Sequence, residues 1–247
     1  RMAMIRLDKL LSSAAGLTRS DAKRKLSSGA VTVDGETVKS GSCKADPGVQ
    51  RVLLDGRPLL YREHLYLLMN KPLGVVSSTD DPRSPTVLGL VPAPLFRRGL
   101  FPAGRLDKYS TGMLILTDDG DFAHRLVAPR KHLPKVYEVT LDAPVLTPAL
   151  VGEFAKGVYL GGGERSSPAL LEPLSALRAR VTIYEGIYHQ VRRMFDQNGA
   201  KVTALRRVRI GGLALDPSLP EGGCRELTGG ELRALFALQN PEPEGTP

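Results

Sequence analysis

The sequence has few cysteines, no long apolar run and no metal-ligand spacing. Cys43 and Cys224 are its only cysteines and stand far apart, which excludes a disulfide framework, a cysteine-rich zinc site and an iron–sulfur cluster. The four histidines lack a spacing such as H-E-x-x-H. Apolar runs fall far short of the ~18 residues of a membrane span, and the first residues lack a secretory signal. We therefore expect reduced thiols in a cytoplasmic protein.

Two further segments lack the residues that their composition first suggests. The glycine-rich stretch 160–163 is not followed by the Lys-Ser or Lys-Thr of a phosphate loop. The acidic stretch 118–121 lacks the spacing and the terminal glutamate of a calcium loop. The sequence thus offers neither a nucleotide loop nor a metal cluster.

Positive charge is in excess, and much of the excess is local. The chain of 247 residues has 34 Lys and Arg against 26 Asp and Glu, a formal charge of +8. Residues 1–30 carry seven basic and two acidic residues, a surplus of +5. A net charge of this size favours a polyanionic partner, although many proteins carry it for solubility alone.

The first sixty residues predict two helices followed by hairpins. Apolar residues at 7, 10, 11 and 14 form one helical stripe that Gly16 ends. Ser20 and Asp21 predict the start of a second helix, which continues through Ser28 and stops at Gly29. Asp-Gly pairs at 34–35 and 55–56 predict tight turns between short strands.

This order of elements resembles the S4 RNA-binding domain over about residues 4–60. The resemblance depends on Arg6-Leu7-Asp8-Lys9, Thr18-Arg19-Ser20-Asp21-Ala22 and Gly29-Ala30-Val31-Thr32-Val33-Asp34-Gly35. It implies contacts with RNA phosphates, which clustered basic side chains on helices suit. A solvated basic face is the alternative. The candidate RNA-binding residues are Arg6, Lys9, Arg19, Lys23, Arg24 and Lys25.

The remainder predicts an α+β domain with a mixed, mainly antiparallel sheet flanked by helices. Two helices are predicted, one from Asp121 to about Val127 and one over 189–198 with Val191, Met194 and Phe195 on its apolar side. Apolar runs or alternating patterns predict five strands, over 65–69, 112–117, 136–141, 178–184 and 207–210. We expect domains at 1–60 and 61–238, and a disordered tail at 239–247.

Gly104-Arg105-Leu106-Asp107 is the strongest candidate for chemistry. An aspartate in a glycine-containing turn before a buried strand has rigid support and can project into a cleft. An ionised carboxylate there can act as a nucleophile or a base. A structural salt bridge is the alternative. Possible cationic partners are Arg105, Lys108, Arg192 and Arg193.

A longer pattern resembles the RsuA-type pseudouridine synthases. It begins with Gly104-Arg105-Leu106-Asp107-x-x-x-x-Gly112-x-Leu114-x-Leu116-Thr117-x-Asp119-Gly120. Further matches are Asn70-Lys71-Pro72-x-Gly74, Lys135-x-Tyr137-Glu138-Val139, Glu185-Gly186 and His189-Gln190-Val191-Arg192-Arg193-Met194. An S4 module ahead of the catalytic domain is also the arrangement of that family. Ile187 departs from the pattern, since the family often has a basic residue there.

The resemblance implies an isomerase that converts a uridine within RNA to pseudouridine. The C1′–N1 bond breaks, the uracil rotates and C5 joins C1′, with no cofactor and no metal. The essential aspartate corresponds to Asp107, and its attack on C1′ or its removal of the 2′ proton both remain open. Tyr137 corresponds to the aromatic that stacks on the flipped uracil, and Arg192 to the basic residue that pairs with the aspartate. By strand propensity alone, Tyr137 is instead a half-buried structural residue.

Basic residues must surround such a carboxylate, because RNA arrives as a polyanion. A solvated strand edge is the alternative for the pair at 206–207, and His189 is interpreted as structural. We take the substrate-binding set to be Arg105, Lys108, Lys135, Arg193, Arg206 and Arg207, with Arg130, Lys131 and Arg209 as further candidates.

The stretches 78–87 and 154–158 most resemble family members that modify small-subunit ribosomal RNA. The resemblance therefore favours a uridine of 16S rRNA within a precursor small-subunit particle, modified by a monomeric enzyme. Two alternatives remain open. They are a large-subunit rRNA synthase of the same family and a noncatalytic rRNA-binding assembly factor.

Overall fold

The computed structural model describes residues 4–59, 61–128 and 133–237. The chain forms two compact units. The first comprises the residues up to Leu65 together with Arg97–Gly99, and the second comprises Tyr66–Phe96 and the residues from Leu100 onward. The predicted tail and the candidates Arg130 and Lys131 lie outside the described residues.

The described residues of the first unit form two helices and six short strands. Leu7, Leu10 and Leu11 are fully buried, as the apolar stripe predicts, and pack with Leu26 and Val31. The hairpin turns at Asp34 and Asp55 have positive φ, as tight Asp-Gly turns require. The elements are β1 Ile5–Arg6, α1 Leu7–Ala15, α2 Arg19–Ser27, β2 Val31–Val33, β3 Glu36–Thr37, β4 Lys44–Ala45, β5 Val52–Leu54 and β6 Arg57–Pro58.

The predicted start of the second helix is wrong by two residues. Thr18, not Ser20, is the N-cap of α2, and its hydroxyl accepts a hydrogen bond from the Asp21 N–H. Similarly, Asp119 rather than Asp121 caps the first helix of the second unit, because its carboxylate accepts from the Phe122 N–H. In both cases an aspartate lies at the second or third position of the helix. Aspartate is favoured both at the N-cap and in the first turn, so the sequence alone does not distinguish the two positions.

In its described residues, the second unit is built on a nine-stranded, mainly antiparallel sheet with helices beside it, which confirms the predicted fold class. The helices are α3 Gly120–Val127, α4 Pro148–Lys156, α5 Gln190–Asp196 and α6 Gly229–Leu235. The strands of this unit are β7 Tyr66–Lys71, β8 Phe101–Ala103, β9 Thr111–Thr117, β10 Lys135–Leu141, β11 Tyr159–Gly161, β12 Glu164–Arg165, β13 Leu170–Pro173, β14 Arg178–Ile183, β15 Val202–Ile210, β16 Leu213–Ala214 and β17 Cys224–Glu226.

The order of strands in the sheet places β15 in its interior. The main path is β13-β14-β10-β15-β9-β7-β17, with β16 paired to β15 and β8 paired to β9; the small hairpin β11–β12 is separate. β15 runs antiparallel to β10 and parallel to β9. The solvated strand edge considered for residues 206–207 is therefore wrong, since both neighbours of this segment are strands.

Gly112 allows β9 and β15 to approach closely. Its φ is +99°, and a Cβ atom there would lie 2.3 Å from the carbonyl oxygen of Arg207 and 3.0 Å from its amide nitrogen. Both neighbours are backbone atoms of a central strand, so neither can move cheaply. A side chain at position 112 would therefore push apart the strands that position Arg207.

We predict that Gly112→Ala lowers the free energy of unfolding of the second unit by roughly 2–5 kcal/mol, the sum of positive-φ strain and overpacking. Gly199→Ala is the matched control, because Gly199 has φ +82° and open space around it. The control should cost only about 1–2 kcal/mol. Urea unfolding of both variants checks this, and equal losses would contradict the close approach.

Candidate active site

A cavity of about 550 Å³ opens in the second unit, which is the usual size of a ligand pocket. The turn between β8 and β9, the strands β10, β14 and β15 and the loop before α5 all contribute to its wall. Its polar wall residues include Arg105, Asp107, Ser110, Lys135, Tyr137, Tyr188, His189, Gln190 and Arg207. The predicted residues Asp107, Tyr137 and Lys135 therefore share one pocket.

Asp107 is held by a fixed turn and still reaches solvent. Ser77 accepts a hydrogen bond from the Leu106 N–H at 3.1 Å and donates one to the Leu106 carbonyl at 2.8 Å. The Ser110 N–H donates to the carbonyl of Asp107 at 3.0 Å, which closes the turn. The carboxylate side chain is 35% exposed, so a substrate can reach it without a change in the fold.

Arg207 is a buried cation that joins the Asp107 turn to Tyr137. Only 2% of this residue is exposed. Its Nε donates to the carbonyl of Met113 at 2.8 Å, and its two terminal nitrogens donate to the carbonyls of Arg105 at 3.3 Å and Gly104 at 3.4 Å. Nη1 also lies 3.4 Å from the Tyr137 hydroxyl. One side chain thus positions both the Asp107 turn and the pocket aromatic.

Lys71 adds positive charge beside the same turn, and Lys135 adds it in the pocket wall. Lys71 is fully buried and donates to the carbonyls of Ser110 at 2.8 Å and Pro72 at 3.0 Å. Burial lowers the pKa of Lys71 to about 8, and the charge of Asp107 opposes that change. Burial also lowers the pKa of Lys135 to about 8; the charge of Arg207 acts in the same direction and that of Glu185 against it.

A hydrogen-bonded loop forms the remaining wall. The carboxylate of Glu185 accepts from the Ser167 N–H and hydroxyl and from the Gln190 amide, at 2.7–2.9 Å. His189 follows with a φ of 51°, and its Nε2 lies 3.5 Å from Oδ1 of Asp107. The loop therefore brings the His189 imidazole to the carboxylate of Asp107.

Comparison with known proteins identifies a family for the chain. Residues 65–197 match the family described as RNA pseudouridylate synthase, more than half of the chain, and residues 5–50 match the S4 domain. The chain belongs to the RNA pseudouridine synthase family. The synthase is therefore an isomerase with an S4 domain, as the sequence motifs predict.

Several relatives resemble the synthase over nearly its whole length. The ribosomal small subunit pseudouridine synthase A of Escherichia coli K12 is 43% identical over 233 residues, covering 94% of this chain and 100% of the relative. The uncharacterized RNA pseudouridine synthase YtzG of Bacillus subtilis is 43% identical over 235 residues, 94% of this chain and 98% of the relative. A solved pseudouridylate synthase structure is 41% identical, with a TM-score of 0.66, and covers 94% and 99% of the two chains.

The expected pair between Arg192 and Asp107 is wrong. In the part of the chain that the structure describes, Arg192 donates to the carbonyls of Val202 at 2.8 Å and Tyr109 at 2.7 Å. Asp107 instead lies beside the His189 imidazole, whose Nε2 is 3.5 Å from its Oδ1. Neighbouring residues on α5 differ by about 100° in direction, and this turn aims Arg192 at backbone carbonyls beside the pocket.

The remaining candidates divide into pocket and non-pocket residues. Arg105 lines the pocket, whereas Lys108 donates to the Ser84 hydroxyl at 3.1 Å. Arg193 forms an ion pair with Glu164 at 2.7 Å and does not itself line the pocket. Arg206 and Arg209 lie on β15, where they oppose Glu138 and Val136 of β10, and do not line the pocket.

Sequence reasoning missed the contacts of two residues. His189 was interpreted as structural, yet it reaches Asp107. Lys71 belongs to a quoted motif, but the motif does not reveal that its ammonium group donates to the carbonyl of Ser110, three residues after Asp107. The Asn70-Lys71-Pro72 motif is the available signal for Lys71, and the motif that begins at His189 is the signal for that residue.

In the S4 domain, the basic candidates form two groups. Arg6, Arg24 and Lys25 form ion pairs with Asp8, Asp21 and Asp55. Lys9, Arg19 and Lys23 are exposed, and none of them has an ion-pair partner among the residues that the structure describes.

The described helices include none long and apolar enough to cross a bilayer. Between residues 4 and 237, apart from the undescribed positions, no three His, Cys, Asp or Glu side chains cluster as metal ligands.

The lowered pKa of Lys135 predicts a pH-dependent stability. A lysine in the unfolded chain titrates near 10.5, whereas the pKa of Lys135 in the folded chain is about 8. Between these values the unfolded chain binds more protons at this site, so stability rises with pH across that interval. We expect Lys135→Met to reduce this rise in the free energy of unfolding. The rise that remains is due to Lys71, whose pKa is also lowered.

Urea midpoints measured from about pH 7.5 to pH 10 check this prediction. Lys156→Met is the control, because the Lys156 side chain is 73% exposed on α4 and should leave the rise unchanged. An identical rise in wild type and Lys135→Met would contradict the burial of this charge.

Proposed function

We propose that the synthase converts a uridine of 16S rRNA to pseudouridine, with Asp107 as the acting carboxylate and with no cofactor. The observation that carries the proposal is the accessible Asp107 carboxylate in a pocket that also contains the Tyr137–Arg207 pair. The similarity to small-subunit pseudouridine synthases over 94% of the chain supports the choice of RNA.

The pocket suits a nucleotide that has left its stack. Extrusion of a base costs a few kcal/mol, and contact with an aromatic ring offsets part of that cost. Tyr137 offers such a ring beside Ile183 and Leu205, which make that side of the pocket apolar. Asp107 then faces the sugar, where the C1′–N1 bond breaks and the C1′–C5 bond forms.

Charge around the pocket makes a carboxylate compatible with RNA. The guanidinium of Arg207 and the ammonium group of Lys71 contact backbone carbonyls of the Asp107 turn, and Lys135 lies in the wall of the same pocket. In a partly buried site such charges are screened less than at the surface. They offset the repulsion between Asp107 and the phosphates, while Arg105 at the pocket wall can meet a phosphate directly.

We propose a cytoplasmic monomer that meets its uridine within a precursor small-subunit particle. The S4 domain supplies phosphate contacts through Lys9, Arg19 and Lys23, whose charges have no acidic partner at ion-pair distance in the described unit.

We predict that Asp107→Asn lowers pseudouridine formation on unmodified 16S rRNA or precursor particles by at least about a thousandfold, because a group in contact with the reacting atoms is lost. RNA affinity should stay within about threefold, since one carboxylate contributes little to phosphate contacts. Asp121→Asn, on the exposed face of α3, is the control and should retain activity. If the wild type itself forms no pseudouridine on either substrate, the noncatalytic assembly-factor function is correct instead.

The S4 domain predicts a salt effect. RNA affinity falls as salt rises, and the triple variant Lys9→Gln/Arg19→Gln/Lys23→Gln should make this fall less steep. The magnitude of the slope of log affinity against log salt should decrease by about 2–3, since each lost phosphate contact removes about 0.7–0.9. A variant with the same charge loss at Lys39, Lys44 and Arg57, which lie outside the two helices, should change the slope less. Equal slopes for both variants would show that the two helices do not contact RNA.

A further inference from the structure

We propose that the exposed face of Tyr188 is a stacking site for the nucleobase next to the target uridine. This inference depends on the proposed function, because it requires an RNA substrate in the pocket. It adds a second base-binding position on the exposed part of the pocket wall, where one flanking nucleotide is held while the uridine is inside the pocket.

The position and exposure of Tyr188 point to this role. The residue belongs to the pocket wall together with Asp107, yet 74% of it is exposed. One face of its ring is stacked on His189, with centroids 3.9 Å apart and planes at 16°. The opposite face is free to receive a flat aromatic partner, and a third ring stacked there would extend the row His189–Tyr188 away from Asp107.

The ring is held in place although it is hardly buried. His189 adopts a φ of 51°, a conformation that a non-glycine residue keeps only where its surroundings enforce it. Its imidazole lies 3.5 Å from Asp107, which fixes the inner end of the stack. A strained turn that presents an exposed aromatic ring is more typical of a binding site than of a solvated loop.

Arg193 fixes the backbone of the same residue. Its Nη1 donates to the carbonyl of Tyr188 at 3.2 Å. Its Nε donates to the carbonyl of Leu160 at 3.1 Å, and its Nη2 lies 2.7 Å from the carboxylate of Glu164. The β11–β12 hairpin therefore supports the Tyr188 loop through one guanidinium, and ordering of the loop does not have to occur at the moment of binding.

Extrusion of the target uridine makes the neighbouring base available as the ligand of Tyr188. When the uridine leaves its stack, the neighbouring base loses a stacking partner. An aromatic side chain can replace that partner for any base, since every base has a π-face, and removal of such a side chain typically weakens binding about 5- to 150-fold. Tyr188 thus recognises the flat face of a flanking base rather than its hydrogen-bonding edge.

The absence of tryptophan from the chain allows a direct spectroscopic test. Tyr188→Trp places a single indole at the proposed site, and Tyr159→Trp places one at a control position that is 49% exposed and is not among the described residues of the pocket wall. Each full-length variant is titrated at low salt with an unmodified transcript of 16S rRNA. Stacking should quench the emission at position 188 by at least about one third and leave the control nearly unchanged.

Affinity provides the second measurement. On the same transcript, Tyr188→Ala should raise Kd by about 5- to 150-fold, whereas Tyr188→Phe should stay within about twofold because the ring is kept. Tyr188→Leu, which keeps bulk without a π-face, should resemble the alanine variant.

The outcomes separate this inference from the proposed function. RNA binding without quenching at position 188, equal quenching at both positions, or a leucine variant that binds like wild type would overturn the stacking site. None of these results would affect pseudouridine formation as the measure of the proposed function. An unmodified chain that fails to bind the transcript at all would overturn both.

Discussion

The architecture of the pocket depends on the burial of one guanidinium. Arg207 lies on an interior strand, and 2% of it is exposed. A buried cation without partners would cost several kcal/mol, so its N–H groups must be satisfied. The carbonyls of Gly104, Arg105 and Met113 and the hydroxyl of Tyr137 accept four hydrogen bonds, at least one from each of its three nitrogens. That requirement fixes the turn that carries Asp107 against the strand that carries Tyr137.

The same requirement explains the neighbouring features of the fold. Gly112 lets β9 pass close to the backbone of Arg207, and Lys71 satisfies the carbonyl of Ser110 from the other side of the turn. Burial lowers the pKa of Lys71 to about 8 because its ammonium is desolvated. The cations thus hold the backbone of the turn by contacts with its carbonyls, while the Asp107 carboxylate remains accessible and meets His189.

The sequence predicts those features of the fold that depend on interactions between residues close together in the chain. The stripe of Leu7, Leu10 and Leu11 and the Asp-Gly turns follow from periodicity and backbone preference, and the Asp107 turn follows from its glycine and the strand after it. The partner of Tyr137 could not be predicted in the same way, because the pairing of β10 with β15 joins residues far apart in sequence. Arg192 and Arg207 are equally basic in sequence, and only the position of Arg207 on an interior strand places it at the pocket.

The account is tested most directly by a map of pseudouridine in ribosomal RNA from cells that lack this protein. It predicts that one uridine of 16S rRNA remains unmodified and that the intact gene restores its modification. An unchanged map of 16S rRNA would contradict the account, and a loss confined to the large-subunit RNA would keep the chemistry but contradict the proposed substrate.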